Sequence, residues 1–153
     1  MDALELLRKD HRKVSDLFSQ AEAAEDDKRQ EQLFEQIRTE LETHTYIEEK
    51  ILYPTLQQHE ELKEMVLEAL EEHKQVKTLI REMERLTDGS ERFSAKLKVM
   101  SENVEHHVEE EENEMFPKVR KLFSADELAQ MGQELEAAKR DFSRQPQTSS
   151  TAS

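Results

Sequence analysis

The chain has 153 residues, of which 38% are charged, with 2 Gly, 3 Pro, no Cys and a formal net charge of −14. That length suits one domain able to enclose a core, and abundant charged helix formers with few breakers predict an all-α protein. The charge argues against nucleic acid and anionic membranes as partners, zero Cys excludes disulfides, thiolate catalysis and iron–sulfur ligation, and no apolar run approaches the ~20 residues that span a bilayer.

Met1 leads straight into an amphipathic helix without a signal segment, so the expected location is cytoplasmic. Asp2 and Glu5 form a capping pair for this first helix, which runs to about residue 24 with a core stripe of Leu4, Leu7, His11, Val14 and Phe18. EDDKRQ at 25–30 reads as a polar turn. A second helix over 29–57 aligns Leu33, Ile37, Leu41, His44, Glu48 and Ile51, so that a His and a Glu stand where Leu is expected. The third, over 61–86, places Leu62, Val66, Ala69, His73, Val76, Ile80 and Met83 on one face, and Thr87-Asp88-Gly89-Ser90 ends it and caps the next. The fourth, over 91–122, carries Phe93, Leu97, Met100, Val104, His107, Glu111 and Met115. A short fifth helix opens on the capping box Ser124-x-x-Glu127, packs Leu128, Met131 and Leu135 on the bundle end, and stops near residue 142. The domain is therefore 1–142, and 143–153 has the composition of a disordered tail.

The chemistry sits in an internal repeat. HTYIEEKILYP at 44–54 resembles HVEEEENEMFP at 107–117, an offset of 63, and KDHRKVSDLF at 9–18 resembles EEHKQVKTLI at 71–80, an offset of 62. A His and a Glu at i and i+4 share one helical face about 6 Å apart, so both reach the same ion. Each half of the chain supplies one lone His and one His-x-x-x-Glu. Burying ionised Glu48 and Glu111 without partners would cost several kcal/mol each. No Lys or Arg lies on the core stripes, so bound cations are the simplest counter-charge. Six groups fill one octahedron, or two ions each take two His and share two bridging carboxylates, and the duplication favours the pair. The pair leaves open positions for oxo, hydroxo or an exogenous molecule.

By these motifs residues 3–122 resemble the hemerythrin-like, or HHE cation-binding, family. The resemblance implies an antiparallel up-down four-helix bundle of hemerythrin type, completed here by the short fifth C-terminal helix. It also implies a carboxylate-bridged non-haem centre of two iron ions, with His11, His44, Glu48, His73, His107 and Glu111 as ligands. By the same resemblance the centre binds or processes dioxygen, nitric oxide or peroxide. Oxygen carriers of the family have a fifth His four residues after the third-helix His, where this chain has Lys77. The expected role is therefore catalase-like or peroxide- and nitric-oxide-processing, in stress defence or iron handling. A non-catalytic oxygen- or iron-sensing module and a structural metal bundle are the alternatives. No nucleic acid or membrane partner is expected, and the chain is read as a monomer or weak homo-oligomer, an exposed stripe on the fifth helix being able to serve a dimer.

Neighbouring residues have plainer readings. The repeat selects His107 over His106 as the ligand, leaving His106 for solvent or an outer hydrogen bond. His59 is read as a surface His, Tyr46 and Tyr53 as packing or surface tyrosines in preference to donors to a bound ligand, and Met65, Met83, Met100 and Met115 as core filler. Within the acidic run Glu109 to Glu112, only Glu111 is expected to turn inward.

Overall fold

The structure, a computed structural model, describes residues 1–86 and 91–144; the cap expected at 87–90 and the tail from 145 onward lie outside the described residues. It consists of α1 (Ala3–Ala23), α2 (Asp27–Ile47), α3 (Tyr53–Leu56), α4 (Glu60–Glu84), α5 (Glu91–Glu110), α6 (Phe116–Leu122) and α7 (Ala125–Arg144), with no strand among the described residues. The first four rods form the expected antiparallel bundle. One rod is α2 continued through a π-helical turn, Glu48–Leu52, into α3, and another is α5 continued through a second π turn, Glu111–Met115, into α6.

Local chemistry explains the helix boundaries. Asp2 accepts from the Glu5 N–H at 2.9 Å while Glu5 accepts from the Asp2 N–H at 3.2 Å, and Ser124 and Glu127 exchange the same pair at 3.1 and 2.8 Å. The second helix starts earlier than 29 because Asp26 caps it, accepting from the Arg29 N–H at 2.8 Å.

The uninterrupted helices expected over 29–57 and 91–122 are corrected by the two π turns. Each lies immediately upstream of a proline, Pro54 or Pro117. Proline lacks an N–H and its ring crowds the carbonyl four residues back, so a widened turn accommodates it without breaking the rod. The Tyr53 N–H accordingly reaches back to the Glu48 carbonyl, and the Phe116 N–H to the Glu111 carbonyl. A widened turn also rotates consecutive residues inward that a 3.6-residue period would separate.

The core is split into two apolar clusters. One gathers Leu4, Leu7, Ile47, Leu52, Leu56, Leu62, Phe116 and Leu135, and the other Val14, Phe18, Leu33, Ile37, Ile80, Phe93, Leu97 and Met100. Between them lies a polar layer of buried His and Glu. The fifth rod, α7, lies along α1 and α2 rather than on the bundle end, correcting that expectation. Its stripe of Leu128, Met131 and Leu135 is buried there, so it leaves no exposed stripe for a dimer. Gly132 permits the close approach, since a Cβ at that position would stand 2.5 Å from the Met1 carbonyl oxygen.

Candidate metal centre

His11 on α1, His44 on α2, His73 on α4 and His107 on α5 enter the polar layer at one level, joined by Glu48 and Glu111 from the two π turns. All six side chains are buried. Glu48 lies between His44 and His73, with Oε2 3.3 Å from His44 Nε2 and Oε1 3.1 Å from His73 Nε2. Glu111 lies between His11 and His107, with Oε1 3.1 Å from His11 Nε2 and Oε2 3.4 Å from His107 Nε2. The rings pair across the bundle, His11 with His44 at 4.9 Å between centroids and His73 with His107 at 5.0 Å.

This arrangement offers two cation positions. His11, His44, Glu48 and Glu111 bring ligand atoms to one, and His73, His107 and Glu48 to the other. Five of the converging atoms, His11 Nε2, His44 Nε2, His107 Nε2, Glu48 Oε2 and Glu111 Oε1, are buried without a hydrogen-bond partner. Their short separations without hydrogen-bond geometry mean that they aim at common points between them. Orphaned buried polar atoms are costly, and a divalent cation at each point satisfies them. The all-nitrogen-and-oxygen donor set suits such an ion.

A second layer of carboxylates holds the rings. His11 Nδ1 meets Glu112 at 2.6 Å, His44 Nδ1 meets Asp10 at 3.2 Å, His73 Nδ1 meets Glu49 at 2.7 Å and His107 Nδ1 meets Glu72 at 2.6 Å. With an acceptor at Nδ1, an imidazole that gives up its Nε2 proton to a cation keeps the other at Nδ1 and presents the Nε2 lone pair inward. Lys139 contacts Asp10 at 2.5 Å, and Lys77 grips both oxygens of Glu49 at 2.9 and 3.0 Å. Lys77, at the position of the carriers' fifth His, thus anchors a carboxylate that orients His73.

Tyr53 breaks the two-fold relation between the halves. Its hydroxyl donates to Glu111 Oε2 at 2.7 Å, lies 3.2 Å from Glu48 Oε1 and 3.4 Å from His73 Nε2. This corrects its reading as a packing tyrosine. The matching residue in the other half, Phe116, has no hydroxyl and stacks on His11 at 6.2 Å between centroids.

The electrostatics follow from this crowding. Burial opposes charge on His44, but the Glu48 charge and the Asp10 hydrogen bond outweigh it and push its pKa up to about 10. Burial opposes charge on His107 too, and Glu111 and Glu72 raise it well above the usual value. Burial disfavours ionised Glu111, yet the His107 hydrogen bond and charge hold its carboxyl well below the ordinary range. Burial and the two neighbouring carboxylates push the Tyr53 phenol well up. Without a cation, imidazolium therefore serves as the counter-charge of the carboxylates.

Beside the His ring lies a chamber of about 30 Å³, walled by Val14, Leu41, Val76, Val104 and Val108. It has room for a molecule of one or two heavy atoms.

His106 lies outside the layer, 68% exposed, paired with Glu110 one turn on. His59 packs edge-on against Phe123 at the α3–α4 connection, 4.8 Å between centroids. Glu112 turns inward to His11, which corrects its reading as solvated surface. The outer carboxylates were missed, although the repeat carried a signal for them: Asp10 and Glu72 each precede a lone His, and Glu49 and Glu112 each follow a buried Glu.

Residues 2–119 match the hemerythrin HHE cation binding domain. The chain is 28% identical over 134 residues to a hemerythrin-like protein of Schizosaccharomyces pombe, covering 86% of this chain and 66% of that one. It is 27% identical over 139 residues to a protein of Nostoc sp. named as a DNA nickase, covering 91% of this chain but only 39% of the relative. Its fold resembles the crystal structure of an HHE cation binding domain-containing protein from Mycobacterium kansasii, with a TM-score of 0.80 at 24% identity over 93% of this chain and 87% of that one. The family match over most of the chain, on a bundle built around buried His and Glu, makes this protein a member of the hemerythrin HHE cation-binding family.

Proposed function

We propose that the chain holds a non-haem di-iron centre on His11, His44, Glu48, His73, His107 and Glu111, and that this centre disproportionates hydrogen peroxide. The observation that carries the reading is the set of five buried, unpartnered nitrogen and oxygen atoms converging as two His-rich clusters that share Glu48. The bound irons supply the redox capacity by which two peroxide molecules become one dioxygen and two waters. The chain's own residues do the rest. Asp10, Glu49, Glu72 and Glu112 lock each ring with Nε2 inward and raise its basicity. Tyr53 ties the two inner carboxylates to one orientation through its hydroxyl. The valine-lined chamber gives a small molecule room beside the layer.

The same chamber favours a second reading, reversible binding of nitric oxide or dioxygen, because its walls are apolar. A net charge of −14 repels a phosphate backbone, so the activity named for the Nostoc relative gains no electrostatic support in this chain. The deciding experiment is elemental analysis of the purified protein with its visible spectrum before and after peroxide. Two irons per chain with oxygen evolution support the enzyme. Two irons with stoichiometric ligand binding and no turnover favour the sensing module, and zinc or no metal overturns both.

A further inference from the structure

The four outer carboxylates that hold the histidine rings are not alike. The side chains of Glu49 and Glu112 are each 29% exposed and that of Glu72 is 20% exposed, so water reaches all three, whereas Asp10 is only 6% exposed. Asp10 and Glu72 are counterparts at the repeat offset of 62, and the difference between them lies in what covers them. On the α1/α2 side, α7 packs Leu135 and Ala138 into the apolar cluster that holds Leu6, Leu7 and Ile47. Asp10 is thus enclosed by a helix that lies beyond residues 2–119, the stretch matched to the family.

The same helix supplies the counter-charge. Lys139 donates to Asp10 Oδ1 at 2.5 Å and leaves Oδ2 for His44 Nδ1 at 3.2 Å, so each carboxylate oxygen has its own partner. An enclosed carboxylate without a counter-charge would cost several kcal/mol, and the Asp10 side chain would swing off the ring to relieve it. The register that sets the ammonium there is fixed on both sides of Lys139. Gly132 permits close approach to the Met1 and Asp2 backbone, Leu135 and Ala138 are buried, and beyond them the Phe142 ring meets Tyr46 at 4.7 Å between centroids. In the other half Lys77 grips Glu49 from within the bundle, and among the described residues no Lys or Arg pairs with Glu72 or Glu112. Among those residues, Lys139 alone brings a cation to the layer from outside the four rods.

We propose that Lys139 is a positioning residue of the metal centre. Through Asp10 it holds the His44 ring toward the His11/His44 cation position, so that docking of α7 sets the affinity there and not at the His73/His107 position. The proposal rests on the reading of the buried layer as a metal centre. A ring held at Nδ1 keeps Nε2 on its line, and a ring released there withdraws Nε2 from the cluster it forms with His11, Glu48 and Glu111. His73 and His107 are held by Glu49 and Glu72, whose hydrogen bonds come from within the bundle.

The test strips metal from the full chain and titrates it with Co²⁺, reading stoichiometry and affinity by calorimetry and by the visible absorption of bound Co²⁺, with circular dichroism to check that each variant is folded. Wild type is expected to take two ions tightly. Lys139→Met keeps the apolar stem and removes the charge, and should weaken one ion on the order of tenfold while leaving the other as in wild type. Lys139→Arg, which keeps the cation, should bind both as wild type does. Lys77→Met should weaken the other ion, so that the Lys77/Lys139 double variant weakens both. In an Asp10→Asn background Lys139→Met should change nothing further, because its path to His44 is already cut. Two tight ions unmoved in Lys139→Met, even with a lowered Tm, would make the pair a structural contact and overturn the assignment alone. An equal loss from both positions in Lys139→Met, or an effect additive with Asp10→Asn, also overturns it. A wild type that takes no Co²⁺ overturns the buried centre itself, and the role of Lys139 with it.

Discussion

Replacing Tyr53 by Phe removes one oxygen atom from the most constrained point of the structure. The ring remains packed at 1% exposure, so no cavity opens beyond the hydroxyl itself. The loss is the 2.7 Å bond to ionised Glu111, with the weaker 3.2 Å approach to Glu48. A charge-assisted bond of this kind contributes ~1.5–3 kcal/mol, and removing the need to bury a hydroxyl returns about 1 kcal/mol of that. The net cost is ~0.5–2 kcal/mol, which for a chain of this size lowers Tm by about 1–8 °C. Thermal unfolding of the metal-free protein by circular dichroism measures it. In the iron-loaded protein, metal content should stay the same while peroxide turnover falls on the order of 10–100-fold, because the carboxylates lose their orienting donor. Tyr46→Phe is the control, since among the described residues its hydroxyl meets exposed Lys50 alone, at 3.0 Å, and it should shift neither quantity. A Tyr53→Phe protein with wild-type Tm and turnover would refute the role assigned to the hydroxyl.

Other expectations follow from the same geometry. Glu48→Gln removes a charge set between His44 and His73, so tight metal binding should be lost by elemental analysis and the His44 pKa should fall by NMR titration; retention of both metals would contradict the bridging role. His44 has a folded pKa of about 10 against an ordinary 6.5, so its contribution to metal-free stability is fully present below pH 6.5 and disappears as pH rises through 10. Urea unfolding across that window should show the decline. Metal must displace those protons, so affinity should rise with pH and calorimetry in buffers of different ionisation enthalpy should detect proton release; its absence would mean that the imidazoles are already neutral. Gly132→Ala should lower Tm although alanine is the better helix former. A Cβ there meets the Met1 carbonyl at 2.5 Å and Asp2 backbone at 3.0 Å, and strain of ~1–3 kcal/mol exceeds the propensity gain of about 1 kcal/mol.

Much of this protein is legible in one dimension because its signals are periodic. The stripes at helical spacing, the capping pairs Asp2/Glu5 and Ser124/Glu127, and four polar interruptions in apolar stripes report the rods and the buried level directly. The repeat at 62 and 63 residues indicates that two copies of one His/Glu set face each other. The interruptions at His11, His44, Glu48, His73, His107 and Glu111 were visible because a buried polar residue departs from its local pattern.

What the sequence left undecided depends on angle and on neighbours remote in the chain. The π turns at Glu48–Leu52 and Glu111–Met115 shift the phase of the helix by one residue, and only that shift turns Glu49 to His73 and Glu112 to His11. Tyr53 meets Glu111, 58 positions away, through packing that no local pattern encodes. The course of α7 over one face, and therefore the reach of Lys139 to Asp10, was likewise decided by tertiary structure. An amphipathic stripe states that a helix must be covered, whereas shape and the close approach at Gly132 select which surface covers it.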